Sequence, residues 1–113
     1  MSKYLEALWG DDFETAYALL DPDVDVIFPR GQLQGADRMR AMWSDSEEYD
    51  HLTPAVVRRQ CDEGDGGVHA TTRIIWHWKE SGEVAFRSRF DSDFVLRDDK
   101  IVRIETVVEH RQP

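Results

Sequence analysis

The chain has 113 residues, room for one domain, and its 41% hydrophobic and 11% aromatic content supports a real core despite 33% charged residues. Fourteen basic against 23 acidic side chains leave a net charge of −9 and a pI near 4.8, which excludes a nucleic-acid binder and disfavours an anionic membrane surface. The single cysteine, Cys61, excludes an internal disulfide and a cysteine-based zinc cluster.

Ser2 caps a first helix whose apolar residues Tyr4, Leu5, Leu8 and Trp9 recur at helical spacing, with Gly10 as its stop. Asp11 and Glu14 form a capping box for a second helix carrying Phe13, Ala16, Tyr17 and Leu20 on one face. Asp21-Pro22-Asp23 ends that helix, because the residue before a proline is pushed out of helical geometry. Val24 to Phe28 is a short strand closed by Pro29-Arg30-Gly31, and Gly35-Ala36-Asp37 opens a third helix with Met39, Met42 and Trp43. The acidic run Asp45 to Asp50 is a solvated helix end. From Leu52 the period changes from 3.6 to 2, and four strands follow at 53–62, 67–79, 83–97 and 100–110. Their turns are Glu63-Gly64-Asp65-Gly66, Glu80-Ser81-Gly82 and Arg97-Asp98-Asp99, which make an antiparallel meander. Helices followed by a meander is the α+β pattern, in which the helices cover one sheet face.

Alternation sorts the two faces. Ala70, Thr72, Ile74, Trp76 and Trp78 share the inner side with Val84, Phe86, Ser88, Phe90, Ser92, Phe94 and Leu96, and with Val102, Ile104, Thr106, Val108 and His110. The outer side collects Ile101 and the charged residues Arg73, Arg87, Arg89, Asp91, Asp93, Arg103 and Glu105, and these charges are expected to form a cross-strand ion-pair network. No apolar run reaches the ~20 residues of a membrane span, and Met1-Ser2-Lys3 leads into an amphipathic stretch rather than a signal peptide. A cytoplasmic protein is the expectation.

This order of elements, with Gly-Asp between two helices, Asp-Pro-Asp-Val, a strand ending in Pro-Arg-Gly, Gly-Ala-Asp before a helix ending in Trp, and a closing Lys100-Ile101-Val102-Arg103, resembles the nuclear transport factor 2-like superfamily. That group holds SnoaL-like polyketide cyclases, ketosteroid isomerases and limonene epoxide hydrolase. The resemblance implies a cystatin-like fold: a cone-shaped, curved antiparallel sheet packed on three N-terminal helices around a pocket. It also implies a homodimer through the outer sheet face. Carried over residue by residue, Tyr4 falls where ketosteroid isomerases place the tyrosine that hydrogen-bonds the oxyanion. Phe28 falls where they place the aspartate base, and Ser92 where they place a protonated aspartate. The Asp-Arg-Asp arrangement of the epoxide hydrolase is also missing, since Arg73 has no acid two residues on and Thr106 stands in for the last one.

The candidate catalytic residues are therefore Tyr4, a hydroxyl donor, and His110, inward by parity and able to act as a base near neutral pH. Tyr17, Phe28, Trp43, Arg59, Trp76, Phe90, Ser92 and Thr106 are the expected pocket lining, with Arg59 placed to meet an anionic group. Asp25 is an outward strand acid. His51, His69 and His77 lack metal-ligand spacing, and no glycine-rich phosphate loop or Gly-x-Ser-x-Gly elbow occurs, so neither metal nor cofactor is expected. Two functions stay open. One is a mainly apolar pocket for a small hydrophobic molecule, with weak acid–base isomerase, cyclase or lyase chemistry. The other is a non-catalytic dimerisation or ligand-sensing module whose cone is filled by side chains.

Overall fold

The computed structural model describes residues 2–10, 12–44, 50–64 and 67–112. Helix α1 (Ser2–Trp9) buries Tyr4, Leu5 and Ala7 on one side, as the helical spacing requires. Helix α2 (Phe13–Ala18) starts one residue later than expected. Its cap is Asp12, whose carboxylate accepts from the Thr15 backbone N–H at 3.3 Å and from the Thr15 hydroxyl at 2.7 Å. The cap expected from the Ser2 side chain and the Asp11 capping box lie outside the described residues, as do residues 45–49 of the acidic run and residues 65 and 66 of the first hairpin turn.

Strand β1 (Leu20–Phe28) is longer than the alternation suggests and runs back through Asp21-Pro22-Asp23. Its register breaks between Leu20 and Asp25, which lets Pro22 sit where no ladder N–H is needed. A two-residue turn at Pro29-Arg30 then leads into β2 (Gly31–Gln34), an edge strand that Gln-Leu-Gln patterning does not announce. Gly35 has φ +105°, a conformation side-chain-bearing residues avoid, and passes the chain from β2 into α3 (Ala36–Ser44). Strands β3 (Leu52–Gly64), β4 (Gly67–Trp78), β5 (Val84–Arg97) and β6 (Lys100–Arg111) are the expected meander. The β5–β6 turn puts both Asp98 and Asp99 at positive φ, 52° and 65°, the twist that a tight hairpin needs.

One sheet results, in the order β2-β1-β6-β5-β4-β3. It is antiparallel throughout except at β1 and β6, which run parallel. The three helices lie on its inner face, where Val24, Val26, Ala70, Phe94, Ile101 and Ile104 form the main core with Tyr4, Leu5 and Met39. No helix among the described residues is long and apolar enough to cross a membrane.

Three β-bulges break the strict alternation. Each inserts one unpaired residue and turns the next stretch of strand over. The bulge at Val57 puts Arg59 and Cys61 on the side of Pro54 and Val56, rather than of Ala55 and Val57. The bulge at Ala85 sets Val84 opposite His77 on the outer side. The bulge at Val102 reverses the expected placement of the last strand's start: Ile101 is the buried residue, 2% exposed, and packs in the main core. The outer face also departs from a cross-strand network. Arg89–Asp91, Arg103–Glu105 and Arg111–Glu109 are paired along single strands, and His69 crosses to Asp93 at 2.7 Å. That hydrogen bond raises the His69 pKa.

The bulge makes a discriminating prediction. Ile101→Ala opens a core cavity and costs about 2–5 kcal/mol, whereas Val102→Ala costs well under half of that. Urea unfolding of the two variants checks it; the reverse order would restore the unbulged register.

Candidate functional site

A cavity of about 500 Å³ opens between the helices and the inner sheet face. α1 contributes Tyr4, Leu5, Leu8 and Trp9, and α3 contributes Met39, Met42 and Trp43. The sheet supplies Thr72, Trp76, Phe90, Ser92, Phe94, Ile104, Thr106 and Val108, with Phe28 from the end of β1. Aromatic rings set the shape of the walls. Trp9 stands edge-on to Phe90 at 5.0 Å and to Trp76 at 6.1 Å, while Phe13 stacks on Trp43 at 5.4 Å. Such offset and edge geometries lock the rings against one another and leave flat faces for a guest.

Polar groups in the lining are few. Ser92 and Thr106 are directly opposed on β5 and β6, and their hydroxyl oxygens lie 2.9 Å apart. Each oxygen carries one hydrogen, so one O–H is spent within the pair and the other is left for a further acceptor. Tyr4 is 2% exposed and meets Phe94 edge-on at 5.7 Å, two residues along the same strand face from Ser92. Its hydroxyl has no hydrogen-bond partner among the described residues. Burial pushes the Tyr4 phenol well above its ordinary value, so it stays protonated and can donate to an electron-rich guest oxygen. Two charged residues, Asp50 and Lys79, also line the cavity, and both are exposed.

The structure brings seven of the ten expected site residues to this cavity: Tyr4, Phe28, Trp43, Trp76, Phe90, Ser92 and Thr106. Tyr17, Arg59 and His110 are not in its lining. The Tyr17 hydroxyl donates to Asp37 at 2.6 Å, and that bond raises its pKa, while the Arg40 guanidinium lies 5.0 Å over its ring. Arg59, turned inward by the Val57 bulge, lies beneath α1, where Nη2 donates to the Leu5 carbonyl at 3.5 Å and Nε is buried without a partner. His110 is exposed at the sheet rim, with its ring edge-on to Phe86. Its place there has a clear purpose. The Trp76 indole N–H donates to Ser88 Oγ at 2.9 Å, and the same oxygen shares a hydrogen bond with His110 Nδ1 at 2.7 Å. His110 thus fixes a cavity wall through Ser88 rather than facing a guest. Asp50 and Lys79 escaped sequence reasoning because nothing in a loop pattern shows which residues rim a cavity.

Among the described residues no cluster of metal-binding side chains occurs. The one carboxylate in the described lining is Asp50, and the end of β1 contributes the apolar ring of Phe28. The arrangement can enclose a flat apolar body and hydrogen-bond its oxygen.

Tyr4 also leaves a mark on stability. With its folded pKa above the ordinary 10.0, the unfolded chain loses this proton first, so stability is full below that value and falls as pH rises past it. Urea unfolding between about pH 9 and 11 is expected to show a shallower alkaline decline in Tyr4→Phe than in the parent; identical declines would place the Tyr4 hydroxyl in solvent.

The comparisons agree with this architecture. A protein provisionally named a polyketide cyclase from Xanthomonas campestris pv. campestris superposes with a TM-score of 0.78 at 18% identity, over 94% of this chain and 84% of that one. An NTF2-like protein from Anabaena variabilis gives 0.78 at 17% identity, over 96% and 82%. A protein provisionally named a ketosteroid isomerase from Kribbella flavida gives 0.70 at 18% identity, over 99% and 77%. At these identities the likeness shows the nuclear transport factor 2-like, cystatin-like fold. A search of curated proteins returns no match. The family model for the SnoaL-like domain matches residues 1–104, and on that match the chain belongs to the SnoaL-like domain family.

Proposed function

We propose that this protein binds a flat, mainly apolar small molecule bearing a carbonyl or similar oxygen, with Tyr4 donating a hydrogen bond to that oxygen. The observation that carries the reading is an open cavity of about 500 Å³ walled by aromatic rings, with a largely buried tyrosine in its lining whose hydroxyl has no hydrogen-bond partner among the described residues. Volumes of this order suit small-molecule ligands, and a mostly apolar lining with a few placed polar groups is their usual environment. The alternative of a cone filled by side chains is disfavoured by the same volume.

The chemistry open to the bound molecule follows from which groups are present. A protonated phenol and a spare Ser92–Thr106 hydroxyl stabilise negative charge growing on a carbonyl oxygen, as in enolisation or ring closure through an enolate. Removing a proton needs a base, and Phe28 supplies none. Asp50 is the one carboxylate of the described lining, and it stands exposed at the rim. Binding with slow enolate-type turnover is therefore the expected behaviour, and the polyketide cyclase and ketosteroid isomerase names of structural neighbours fit that class.

The test is a thermal-shift screen against steroids, terpenoids and polyketide lactones, each paired with its deoxygenated hydrocarbon. A ligand at 100 times its Kd adds about 2.7 kcal/mol, a rise in Tm of roughly 10 °C for a domain of this size. Tyr4→Phe is expected to weaken the oxygenated ligand roughly three- to tenfold and to leave the hydrocarbon unaffected. Absence of any shift across the panel, or equal loss for both members of a pair, would overturn the reading.

A further inference from the structure

We propose that His110 is a positioning residue for the cavity: its charge sets the hold on Trp76 and thereby the affinity for a guest, so the site loosens as the medium turns acid. This rests on the ligand reading above and adds a control to it. The observation is a closed circuit of four side chains on the inner face of the sheet. The Trp76 indole N–H donates to Ser88 Oγ at 2.9 Å, and that oxygen shares a hydrogen bond with His110 Nδ1 at 2.7 Å. The His110 ring stands perpendicular to Phe86 at 5.3 Å, and Phe86 stacks on Trp76 at 5.9 Å. The register builds the circuit: Ser88 lies between Ile74 of β4 and His110 of β6, with Trp76 and Phe86 paired two positions along. One end of it, Trp76, is buried in the cavity wall, and the other, His110, is open to water.

Counting hydrogens shows why the charge matters. An indole N–H can only donate, so Ser88 Oγ accepts from Trp76 and has one hydrogen of its own to place. A neutral imidazole leaves two arrangements open at the short contact: a bare Nδ1 taking the Ser88 hydrogen, or Nδ1–H donating to Ser88. The first of these places every hydrogen. An imidazolium leaves only the second, because both ring nitrogens then carry hydrogen. Ser88 Oγ must then accept twice, and its own hydrogen has no acceptor among the described residues at a site 5% exposed. An orphaned buried donor costs more than an ordinary hydrogen bond contributes. Turning the hydroxyl toward a new acceptor relieves that cost and loosens its hold on the Trp76 indole. Trp76 stands edge-on to Trp9 of α1 at 6.1 Å, so a shift of one ring is felt across the cavity.

The charged neighbours leave this contact to His110. Arg87 and Arg89 of β5 and Glu109 and Arg111 of β6 flank the Ser88–His110 pair in the register, at alternate positions that face the other side of the sheet. Asp91 and Glu109 hold Arg89 and Arg111 there. Lys3 and Glu6 of α1, the helix that meets the circuit through Trp9, are exposed. Of the other histidines, His69 is tied to Asp93 on the outer face, His77 contacts the Gly82 carbonyl at 3.1 Å, and His51 is exposed at the start of β3. Histidine changes charge between about pH 5 and 8. Protonation on the acid side of that range opposes the arrangement that places every hydrogen, so affinity is highest at its upper end and falls with pH.

The experiment has two readouts on the full chain, taken from about pH 8 down to about pH 5.5, across the range in which histidine gains its charge. The first is the Trp76 indole N–H signal of the guest-free protein, assigned with Trp76→Phe; it is expected to move with pH in the parent and to stay fixed in His110→Asn, whose carboxamide can take either role at Ser88 but never gains a charge. The second is the affinity for 2-acetylnaphthalene, a flat aromatic ketone. Its Kd is expected to rise roughly three- to tenfold toward acid in the parent. In His110→Asn it is expected to stay at the parent's upper-pH value throughout, and His69→Asn is expected to keep the parent's full pH dependence. A Trp76 signal that ignores pH, a parent Kd that does not change, or a His110→Asn variant that keeps the dependence would overturn the proposal. So would loss of the dependence in His69→Asn, which would assign it to the outer face. No binding of the ketone at either pH would overturn the ligand reading instead, and the guest-free Trp76 signal would then decide the coupling by itself.

Discussion

The structure is governed by a mismatch of lengths. Helices of eight, six and nine residues rise 1.5 Å per residue and reach about 9–14 Å, while strands of twelve to fourteen residues reach about 40–45 Å. Three such helices cannot cover the inner face of that sheet. They seal one end, where Val24, Val26, Ile101 and Ile104 sit under α1 and α3, and leave the rest to be closed by large rings. Trp9, Trp76, Phe86 and Phe90 do this as a second cluster with Leu52 and Ile74. Rings braced edge-on against one another can line open space without collapsing into it, and a cavity is the result.

That geometry also decides what the site can do chemically. A hydroxyl buried among rings keeps its proton, so Tyr4 is a donor and never a base over the physiological range. Phe28 in the cavity wall adds area and removes basicity. Among the other polar groups of the lining, the Ser92–Thr106 pair is already partly satisfied within itself. The balance favours holding an oxygen-bearing guest over deprotonating it. The Trp76–Ser88–His110 chain contributes at one remove, by keeping the Trp76 ring in one orientation through two linked hydrogen bonds.

Much of this was legible in the residues. The shift from a period of 3.6 to one of 2 near Leu52 and the turn chemistry at Asp98-Asp99 announce helices followed by a meander, and alternation alone places Trp76, Phe90, Ser92 and Thr106 on the inner face. What alternation cannot carry is a bulge. One extra residue at Val57, Ala85 or Val102 costs little locally and reverses the facing of the strand across it, which is why Arg59 parts company with Ala55 and Val57 and why Ile101 lies inside. The edge strand β2 is too short and polar to show a period, and the parallel contact of β1 with β6 joins segments some eighty residues apart. His110 does share the inner side by pairing with Ser88, yet lies beyond the cavity because the sheet outruns the helices. Distance along a strand, rather than facing, is the missing variable.

The central claim is that a guest enters the ring-walled cavity, and the four indole N–H groups report on it directly. Trp9, Trp43 and Trp76 line the cavity, whereas Trp78 is 46% exposed and lies outside its lining. A two-dimensional nitrogen–proton NMR titration with an oxygenated ligand from the thermal screen is predicted to move the Trp9, Trp43 and Trp76 indole signals together, to saturation, while the Trp78 signal stays in place. Four unmoved signals, or movement of Trp78 alone, would contradict the account and place the ligand elsewhere on the protein.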